Sequence, residues 1–278
     1  MKITFLGTAG WARIPSMYCN CDVCRMAKES GDDRYWRTQT QTLIDDKLLI
    51  DFGMDNYIHF YRTKKDFSAV ENLLITHNHS DHFLCEELCM RAGGQNLTRD
   101  HMQIYGGQDA YDFYQVNNWN KGGCKCTFNV IDAYQTFTVG EYTVTSIPSI
   151  HMPGNPMCYI ISDGKTTLFY SLDTGILADE VYEFLGKQGF RFDTVIADCT
   201  YGLEKATHRT HMTLKANEEH REKLKAVGCM KEETKWYLDH LSHIAFSDGE
   251  HAFTYEEFEE IVHQKNMLLS YDGLEIEI

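Results

Sequence analysis

The sequence has few prolines and lacks the features that divide a chain into modules. Only 4 of its 278 residues are proline, and they are scattered. No Pro-, Gly- or Ser-rich linker, internal repeat or low-complexity segment is visible. With 43% hydrophobic residues, the chain can bury a sizeable core. We therefore expect one compact domain over residues 1–278.

Signals for membranes and export are also lacking. No stretch approaches the ~20 apolar residues of a membrane-spanning helix. Residues 1–6 enter a strand-like segment without the basic and apolar regions of a secretory signal. We therefore expect a cytoplasmic protein without membrane contacts, in which the ten cysteines are thiols or metal ligands rather than disulfides.

Positive charge is scarce. The chain has 26 Lys and Arg against 41 Asp and Glu, a formal net charge of −15. Nonspecific nucleic-acid binding depends on cationic side chains that release counterions, so we expect no extended nucleic-acid surface. A small anionic substrate held by metal ions remains compatible with this charge.

Short strand-like runs fall into two groups, each followed by segments with helical periodicity. This order favours two sheets packed face to face with helices outside, an α/β (α+β) fold, over an alternating doubly wound sheet. The predicted strands cover residues 2–6, 42–44, 48–52, 72–76, 103–105, 135–139, 142–148, 158–162, 167–171, 194–198, 236–238 and 268–270. The predicted helices cover residues 81–92, 109–116, 178–189, 213–227 and 255–264.

The strongest signal for function is a cluster of metal-ligand residues after an apolar strand. His77, His79, Asp81 and His82 lie within six positions that follow Leu-Leu-Ile-Thr. His77 and His79 are two residues apart, so an extended segment can direct both imidazoles to one side. Neutral imidazole and carboxylate ligands suit zinc, manganese or iron. The cluster therefore predicts a metal site at the end of a strand.

The pattern His-x-His-x-Asp-His resembles the signature of the metallo-β-lactamase superfamily. The resemblance implies a four-layer αββα sandwich with two divalent metal ions at the edge of its sheets. It also implies further ligands at later strand ends, where this chain has His151, Asp173 and His240. By resemblance, one ion is held by His77, His79 and His151, the other by Asp81, His82 and His240, and Asp173 bridges them.

Two further positions bear on this centre. Histidine at position 79 favours hydrolysis, since glutamate there would resemble the diiron, oxygen-reducing branch of the superfamily. Asp51 resembles an aspartate that orients a ligand histidine, although an ordinary turn aspartate fits the sequence nearly as well.

Cys19, Cys21 and Cys24 form a Cys-x-Cys-x-x-Cys cluster. Three thiolates suit a structural zinc, which needs a fourth ligand from elsewhere. His243 is a good candidate, because it lies three residues after His240 on a strand-like segment, where an odd spacing directs the two side chains to opposite sides. Adventitious thiols are the alternative explanation.

Motifs along nearly the whole chain resemble the PhnP-like phosphoribosyl cyclic phosphodiesterases of bacterial phosphonate breakdown. They include residues 6–10, the cysteine cluster, residues 76–82, 171–174, 198–199, 239–243 and 271–276, and His211. The resemblance implies a hydroxide activated by two metals (zinc or manganese) that attacks a small cyclic phosphodiester, with Asp81 and His211 as catalytic residues. His211 would be the general acid, a task that suits a group titrating near neutrality, and His208 competes for this role. A homodimer is possible, since dimers are common among related folds.

Three other functions remain open. A tRNA 3′-processing endonuclease would share these ligands but requires a protruding basic arm that the sequence lacks. A non-catalytic or carrier protein of quinone-cofactor biosynthesis would share the cysteine cluster. A lactone or thioester hydrolase would not require His211.

The remaining residues give weaker expectations. The stretches 118–128 and 223–234 depart from the PhnP-like pattern, and we expect them to be loops near the substrate cleft. The histidines at 59, 101, 220, 251 and 263 are expected to face solvent. Arg13 or Arg37 could hold a phosphate, and Cys124 and Cys126 form a pair without an evident partner.

Overall fold

The computed structural model describes residues 1–92, 101–206 and 208–278, and within these ranges it forms two sheets of seven strands. The first sheet contains β1 (Lys2–Gly7), β2 (Gln41–Ile44), β3 (Leu48–Ile50), β4 (Asn72–Leu74), β5 (Met102–Gly106), β6 (Cys126–Val130) and β14 (Glu275–Glu277). The second contains β7 (Thr136–Val139), β8 (Tyr142–Pro148), β9 (Met157–Ser162), β10 (Thr167–Ser171), β11 (Phe192–Asp198), β12 (Met230–Asp239) and β13 (Leu268–Leu269).

Parallel strands dominate the part of each sheet that matters for the site. The first sheet has the order β14-β1-β2-β3-β4-β5-β6, in which β3 to β6 run parallel. The second has the order β13-β12-β11-β10-β9-β8-β7, in which β10 to β13 run parallel and only β9 separates them from β8. Residues that follow the carboxyl ends of these strands are therefore brought to one edge.

Three apolar clusters lie between the four layers of the fold, one at each interface between neighbouring layers. One cluster joins the facing sides of the two sheets, with Ile44 and Leu74 from the first and Tyr170 and Ile196 from the second. The strands alternate, so Leu43 and Leu73 face the helix beyond the first sheet, as Phe169 and Val195 face the helices beyond the second. The predicted αββα sandwich is confirmed.

Six α-helices flank the sheets in the described ranges. They are α1 (Asp22–Glu29), α2 (Asn56–Thr63), α3 (Gln108–Asn117), α4 (Asp179–Gln188), α5 (Leu214–Ala226) and α6 (Tyr255–Gln264). The helices predicted near 109–116, 178–189, 213–227 and 255–264 are confirmed. In the part of the chain that the structure describes, no helix is long and apolar enough to cross a bilayer.

The helix predicted over residues 81–92 is wrong. The backbone of this segment first pairs with Phe52, which donates to the carbonyl of His82 at 2.7 Å and accepts from the amide of Leu84 at 2.6 Å. These groups are then not available for helical hydrogen bonds. Only a short 3₁₀ stretch, Cys85–Arg91, follows.

Two expectations about polar residues are also wrong. His59 and His220 do not face solvent but are buried, at 2% and 0% exposure. Arg37 does not hold a phosphate in an open site, because its buried guanidinium donates to the Thr8 hydroxyl and the Ser270 carbonyl. Sequence periodicity did not predict the burial of these three polar residues, because each is covered by elements that are distant in sequence.

The two buried histidines predict how stability depends on pH. Burial lowers the pKa of His59 and of His220 to about 3. Both are therefore neutral in the fold, whereas the unfolded chain takes up protons below about pH 6.5, so stability falls as the pH decreases below that value. At pH 5 each histidine should lower the free energy of unfolding by about 2 kcal/mol relative to pH 7.

Urea unfolding at pH 7 and pH 5 tests this expectation with His220→Asn, which keeps an acceptor for the hydroxyl of Tyr182, now 2.6 Å from His220 Nδ1. The variant should lose about 2 kcal/mol less than the wild type between the two pH values. The exposed His263 gives a control, since His263→Asn should lose as much as the wild type. An unchanged pH dependence in His220→Asn would contradict the prediction.

Candidate metal centre

Seven residues from four segments meet at the edge where the parallel strands end. His77, His79, Asp81 and His82 follow β4, His151 follows β8, Asp173 follows β10 and His240 directly follows β12. Their side-chain ligand atoms form overlapping groups in which all members lie within 4.8 Å of one another. The structure therefore brings together every residue that the sequence assigned to this centre.

The first group consists of three imidazoles. His79 Nδ1 lies 2.9 Å from His77 Nε2 and 3.2 Å from His151 Nε2. Nitrogens that face one another at these distances can share a cation through their lone pairs, as in sites with three histidine ligands.

The second group contains Asp81, His82 and His240. Asp173 lies between the two groups, with Oδ2 2.6 Å from His82 Nε2 and 3.1 Å from His240 Nε2, and Oδ1 3.7 Å from His151 Nε2. Both Asp173 Oδ2 and His240 Nε2 are buried, and neither has a hydrogen bond of acceptable geometry within the described residues. One carboxylate thus faces both groups, as a bridging ligand does.

The electrostatics of the centre favour cations. Burial opposes protonation of His82, yet the carboxylates of Asp173, Asp81 and Asp51 raise its pKa well above the ordinary value. The buried carboxylates therefore attract positive charge. A proton on His82 supplies one such charge, and divalent metal ions would supply more. The donor set and these orphaned atoms fit two divalent ions.

Asp51 fixes the orientation of one ligand. It is fully buried and accepts from His82 Nδ1 at 2.7 Å and from the amide and hydroxyl of Thr76 at 2.8 and 2.9 Å. These contacts direct His82 Nε2 toward the centre, as expected of an aspartate behind a metal ligand. An ordinary turn aspartate would not be buried in this way.

His211 lies beside the centre and has its own acidic partner. Its Nδ1 is 2.8 Å from the buried Asp198 Oδ2, and its ring is stacked parallel to His240 at 5.5 Å. Burial lowers the pKa of His211, but the Asp198 charge and hydrogen bond outweigh it and raise the pKa to about 9. His208 instead bonds Glu204 at 3.0 Å and stacks on Tyr201, so His211 and not His208 lies against the centre.

A cavity of about 490 Å³ opens onto the metal centre. It is lined by residues 10–12, His79, Ser80, Asp81, His151, Asp173, Thr200, Tyr201, His211, His240 and residues 242–244. The stretches 118–128 and 223–234 do not line it, so the expectation that they border the cleft is wrong. They form turns, the edge strand β6, the end of α5 and the start of β12, and Cys124 is buried against Tyr114.

A separate cluster joins Cys19, Cys21, Cys24 and His243, whose ligand atoms also lie within 4.8 Å of one another. His243 Nδ1 is 3.6 Å from Cys19 Sγ and 3.3 Å from Cys21 Sγ. A tetrahedral zinc with ordinary bond lengths places sulfur and nitrogen ligands about 3.5 Å apart. The cluster fits a structural zinc that links α1 to the 3₁₀ turn His243–Phe246.

Comparison with known proteins now defines the family. The family model described as the beta-lactamase superfamily domain matches residues 47–240, which include all seven centre residues. The chain belongs to this superfamily. Its fold is the metallo-β-lactamase fold, as the sequence motif predicted.

Solved structures of superfamily members share the fold at low sequence identity. A diphosphatase from the PhnP family is 21% identical, with a TM-score of 0.75 over 100% of this chain and 97% of that one. Zinc-bound PqqB from Methylobacterium extorquens is 17% identical, with a TM-score of 0.75 over 100% of both chains. The short form of human tRNase Z is 16% identical, with a TM-score of 0.66 over 100% and 99%. No curated protein matches the sequence significantly.

Sequence analysis of this superfamily member missed the roles of two residues. Asp198 appeared only as part of a resemblance, although its carboxylate contacts both His211 and the amide and hydroxyl of Thr200. Thr200 in turn contacts His240 Nδ1 at 2.8 Å. The sequence did offer one signal for Asp198, which is its position. It is the last residue of a buried strand, β11, and the metal-ligand residues also lie at the ends of strands.

The reason given for placing His240 and His243 on opposite sides is also wrong. β12 ends at Asp239, His240 has a left-handed backbone with φ 59°, and His243 begins a 3₁₀ turn. The two side chains diverge because the backbone turns between them, not because they alternate along a strand.

The cysteine cluster gives a prediction about metal content. We expect the purified protein to hold about three metal ions per chain and Cys21→Ser to hold about one fewer, because a structural zinc needs four protein ligands. Elemental analysis measures both, and Cys126→Ser, which changes a cysteine outside the cluster, should keep the wild-type content. Equal metal content in Cys21→Ser and the wild type would contradict the zinc assignment.

Proposed function

We propose that this protein is a metal-dependent phosphodiesterase that hydrolyses small phosphodiesters, including cyclic phosphodiesters of a sugar, the class to which phosphoribosyl cyclic phosphate belongs. The observation that carries the proposal is the pair His211 and Asp198, which lies beside the seven candidate ligands; His211 lines the same cavity, and the buried Asp198 holds it. A proton donor held apart from the ligands suits a reaction whose leaving group is an alkoxide.

The seven ligands would hold two divalent ions, zinc or manganese, in the grouping described above. Such ions would supply Lewis-acid activation of water and neutralise charge on phosphate oxygens. Asp173 holds the two groups together, and Asp51 keeps His82 oriented through its Nδ1. Because these side chains are buried and fixed by neighbours, little reorganisation is needed when a substrate binds.

His211 moves the proton in this proposal. Its Nδ1 is bonded to Asp198, which leaves Nε2 to face the cavity. The charge of Asp198 and its hydrogen bond favour the protonated ring, which can give the Nε2 proton to the leaving oxygen as the phosphorus–oxygen bond breaks. Asp198 then stabilises the orientation of the neutral ring.

The other candidate functions have less support. The fold is shared with a zinc-bound PqqB, but a carrier would not need a complete ligand set with a proton donor beside it. The fold is also shared with a tRNase Z, yet among the described residues no Lys or Arg lines the cavity to follow a polynucleotide backbone. Thioester hydrolysis expels a thiolate, which leaves without a proton and would give His211 no evident task. Lactone hydrolysis also expels an alkoxide, and the paired assay below distinguishes it from phosphodiester hydrolysis.

A paired assay tests the proposal. Protein loaded with zinc or manganese is given bis-p-nitrophenyl phosphate and, separately, a simple lactone. We expect turnover of the phosphodiester with at least one metal and little or no turnover of the lactone. Lactone hydrolysis without phosphodiester hydrolysis would overturn the proposal, as would the absence of both activities in fully metal-loaded protein.

A further inference from the structure

The cavity lining is chemically mixed. Besides the metal ligands and His211 it includes three apolar residues, Trp11, Ala12 and Ile244. Trp11 is 68% exposed and Ile244 is 40% exposed. Exposure of an indole to water is costly, since this side chain buries a large apolar area when it has a partner. These apolar residues have no role in the proposed chemistry at phosphorus.

The turn that carries Trp11 is held firmly in place. The amide of Gly10 donates to the Leu241 carbonyl at 3.0 Å, and Gln39 Nε2 donates to the carbonyl of Trp11 at 3.2 Å. Arg13 forms two hydrogen bonds with Asp55, at 2.8 and 3.0 Å. The exposed indole therefore stands on a fixed backbone at the mouth of the cavity.

This turn also lies directly against the metal centre. A Cβ atom at Gly10 would be 2.9 Å from Cε1 of His240, so only glycine lets the backbone pass over that ring. Trp11, the next residue, is thus placed beside a candidate metal ligand. A group attached to a phosphate at the centre could reach the indole face.

The charges in the cavity limit what the substrate can carry. Apart from histidines and Tyr201, the ionisable side chains that line it are Asp81 and Asp173, and no Lys or Arg is found among the lining residues in the described ranges. A single phosphodiester can be neutralised by the metal ions that the ligands would hold. A further phosphate on the substrate would find no cationic side chain and would lose its hydration without compensation.

We infer that the substrate is a phosphodiester with one phosphate and an uncharged aromatic base, a nucleoside cyclic phosphate in chemical class, whose base stacks on Trp11 against Ile244. This inference rests on the proposed phosphodiesterase function and narrows its substrate class, since it excludes cyclic phosphates that carry a second phosphate, as phosphoribosyl cyclic phosphate does. Bases have a planar face that stacks on tryptophan without a requirement for hydrogen-bond partners. A stacked base would explain three features of the cavity together: its apolar residues, the fixed turn that carries Trp11, and the lack of Lys and Arg among the described lining residues.

The reaction balances without a further reactant. Water forms a new bond to phosphorus, and the bond between phosphorus and one ribose oxygen breaks. That oxygen takes the proton of His211, and the proton released by water goes to solvent and restores the protonated ring. The product is a nucleoside monophosphate with an open phosphate ester.

Three substrates test the inference on the metal-loaded protein: adenosine 2′,3′-cyclic phosphate, methyl riboside 2,3-cyclic phosphate without a base, and adenosine 2′,3′-cyclic phosphate with a 5′-phosphate. We expect kcat/KM for the first to exceed that for the second by about 10-fold or more, the range of one stacking contact. The added 5′-phosphate should lower kcat/KM rather than raise it.

Variants at Trp11 assign the effect. Trp11→Ala should remove most of the preference for the base, so that the ratio of kcat/KM between the substrates with and without the base falls towards one, and Trp11→Phe should retain most of that ratio. Trp119 is 75% exposed but does not line this cavity, so Trp119→Ala is the matched control. Adenosine 3′-monophosphate should quench tryptophan fluorescence in the wild type and in Trp119→Ala, and much less in Trp11→Phe.

The assays distinguish failure of base recognition from failure of the phosphodiesterase function. Equal kcat/KM for the substrates with and without the base would overturn the inference and leave the phosphodiesterase proposal standing. A Trp11→Ala variant that slows both substrates equally would also overturn it, because Trp11 would then support the centre rather than bind a base. Failure to hydrolyse even bis-p-nitrophenyl phosphate would contradict the proposed function itself.

Discussion

His211→Ala should lower kcat on a phosphodiester with an alkyl leaving oxygen by about 10²–10⁴-fold, the range for loss of a positioned general acid. The ring is bonded to Asp198 at 2.8 Å and lines the cavity, so its removal leaves the departing oxygen without a donor. Steady-state kinetics with a cyclic phosphate measures the loss. Because His211 is outside both ligand groups as we assign them, metal content should stay at the wild-type level.

The leaving group provides an internal check on this role. A p-nitrophenolate is stable without protonation, so the same variant should lose much less activity on bis-p-nitrophenyl phosphate than on the alkyl ester. His208→Ala is the matched control, since His208 bonds Glu204 and not the centre, and it should keep nearly full activity. Equal losses on both substrates would show that His211 supports the structure of the site rather than delivering a proton.

Asp173→Asn should have the largest effect of all, a loss of activity of at least about 10³-fold together with a loss of metal. The carboxylate faces both ligand groups and lies 2.6 Å from His82 and 3.1 Å from His240. An amide of the same shape removes the negative charge that both ions would share. Elemental analysis and phosphodiester turnover on the same preparation measure the two losses together.

A matched carboxylate variant separates loss of metal from loss of fold. Asp193 lies in β11 and forms an ion pair of 2.6 Å with Lys231, away from the candidate ligands. The variant Asp193→Asn should therefore have the metal content and the activity of the wild type. Thermal unfolding should show that both variants remain folded. Wild-type metal content in Asp173→Asn would contradict the bridging role, whatever happens to activity.

Local sequence was sufficient to predict most of the elements. Short apolar runs between turn signals predicted the strands, because both faces of each sheet are buried and successive side chains are then both apolar. It failed for β6 and β14, whose residues are half exposed at sheet edges, and for the short helices α1 and α2. It also predicted a helix after His82, where pairing with Phe52 takes the backbone groups.

The motif after β4 predicted a metal site because four ligand types in six positions have few other uses. The sequence alone could not place His151, Asp173 and His240 beside it; that assignment came from resemblance. The structure gives the physical reason, since strands far apart in sequence run parallel and end at a common edge.

The sequence by itself determined the two groups of short apolar runs that form the two sheets, and the types of ligand residue at the strand ends. Only the tertiary structure decided which side chains are neighbours. Asp198 contacts His211, Asp51 contacts His82, and the turn that carries Trp11 passes over His240. The burial of His59 and His220 was decided in the same way. Periodicity is a property of neighbours along the chain, whereas ligand orientation, proton affinity and cavity walls depend on neighbours across it.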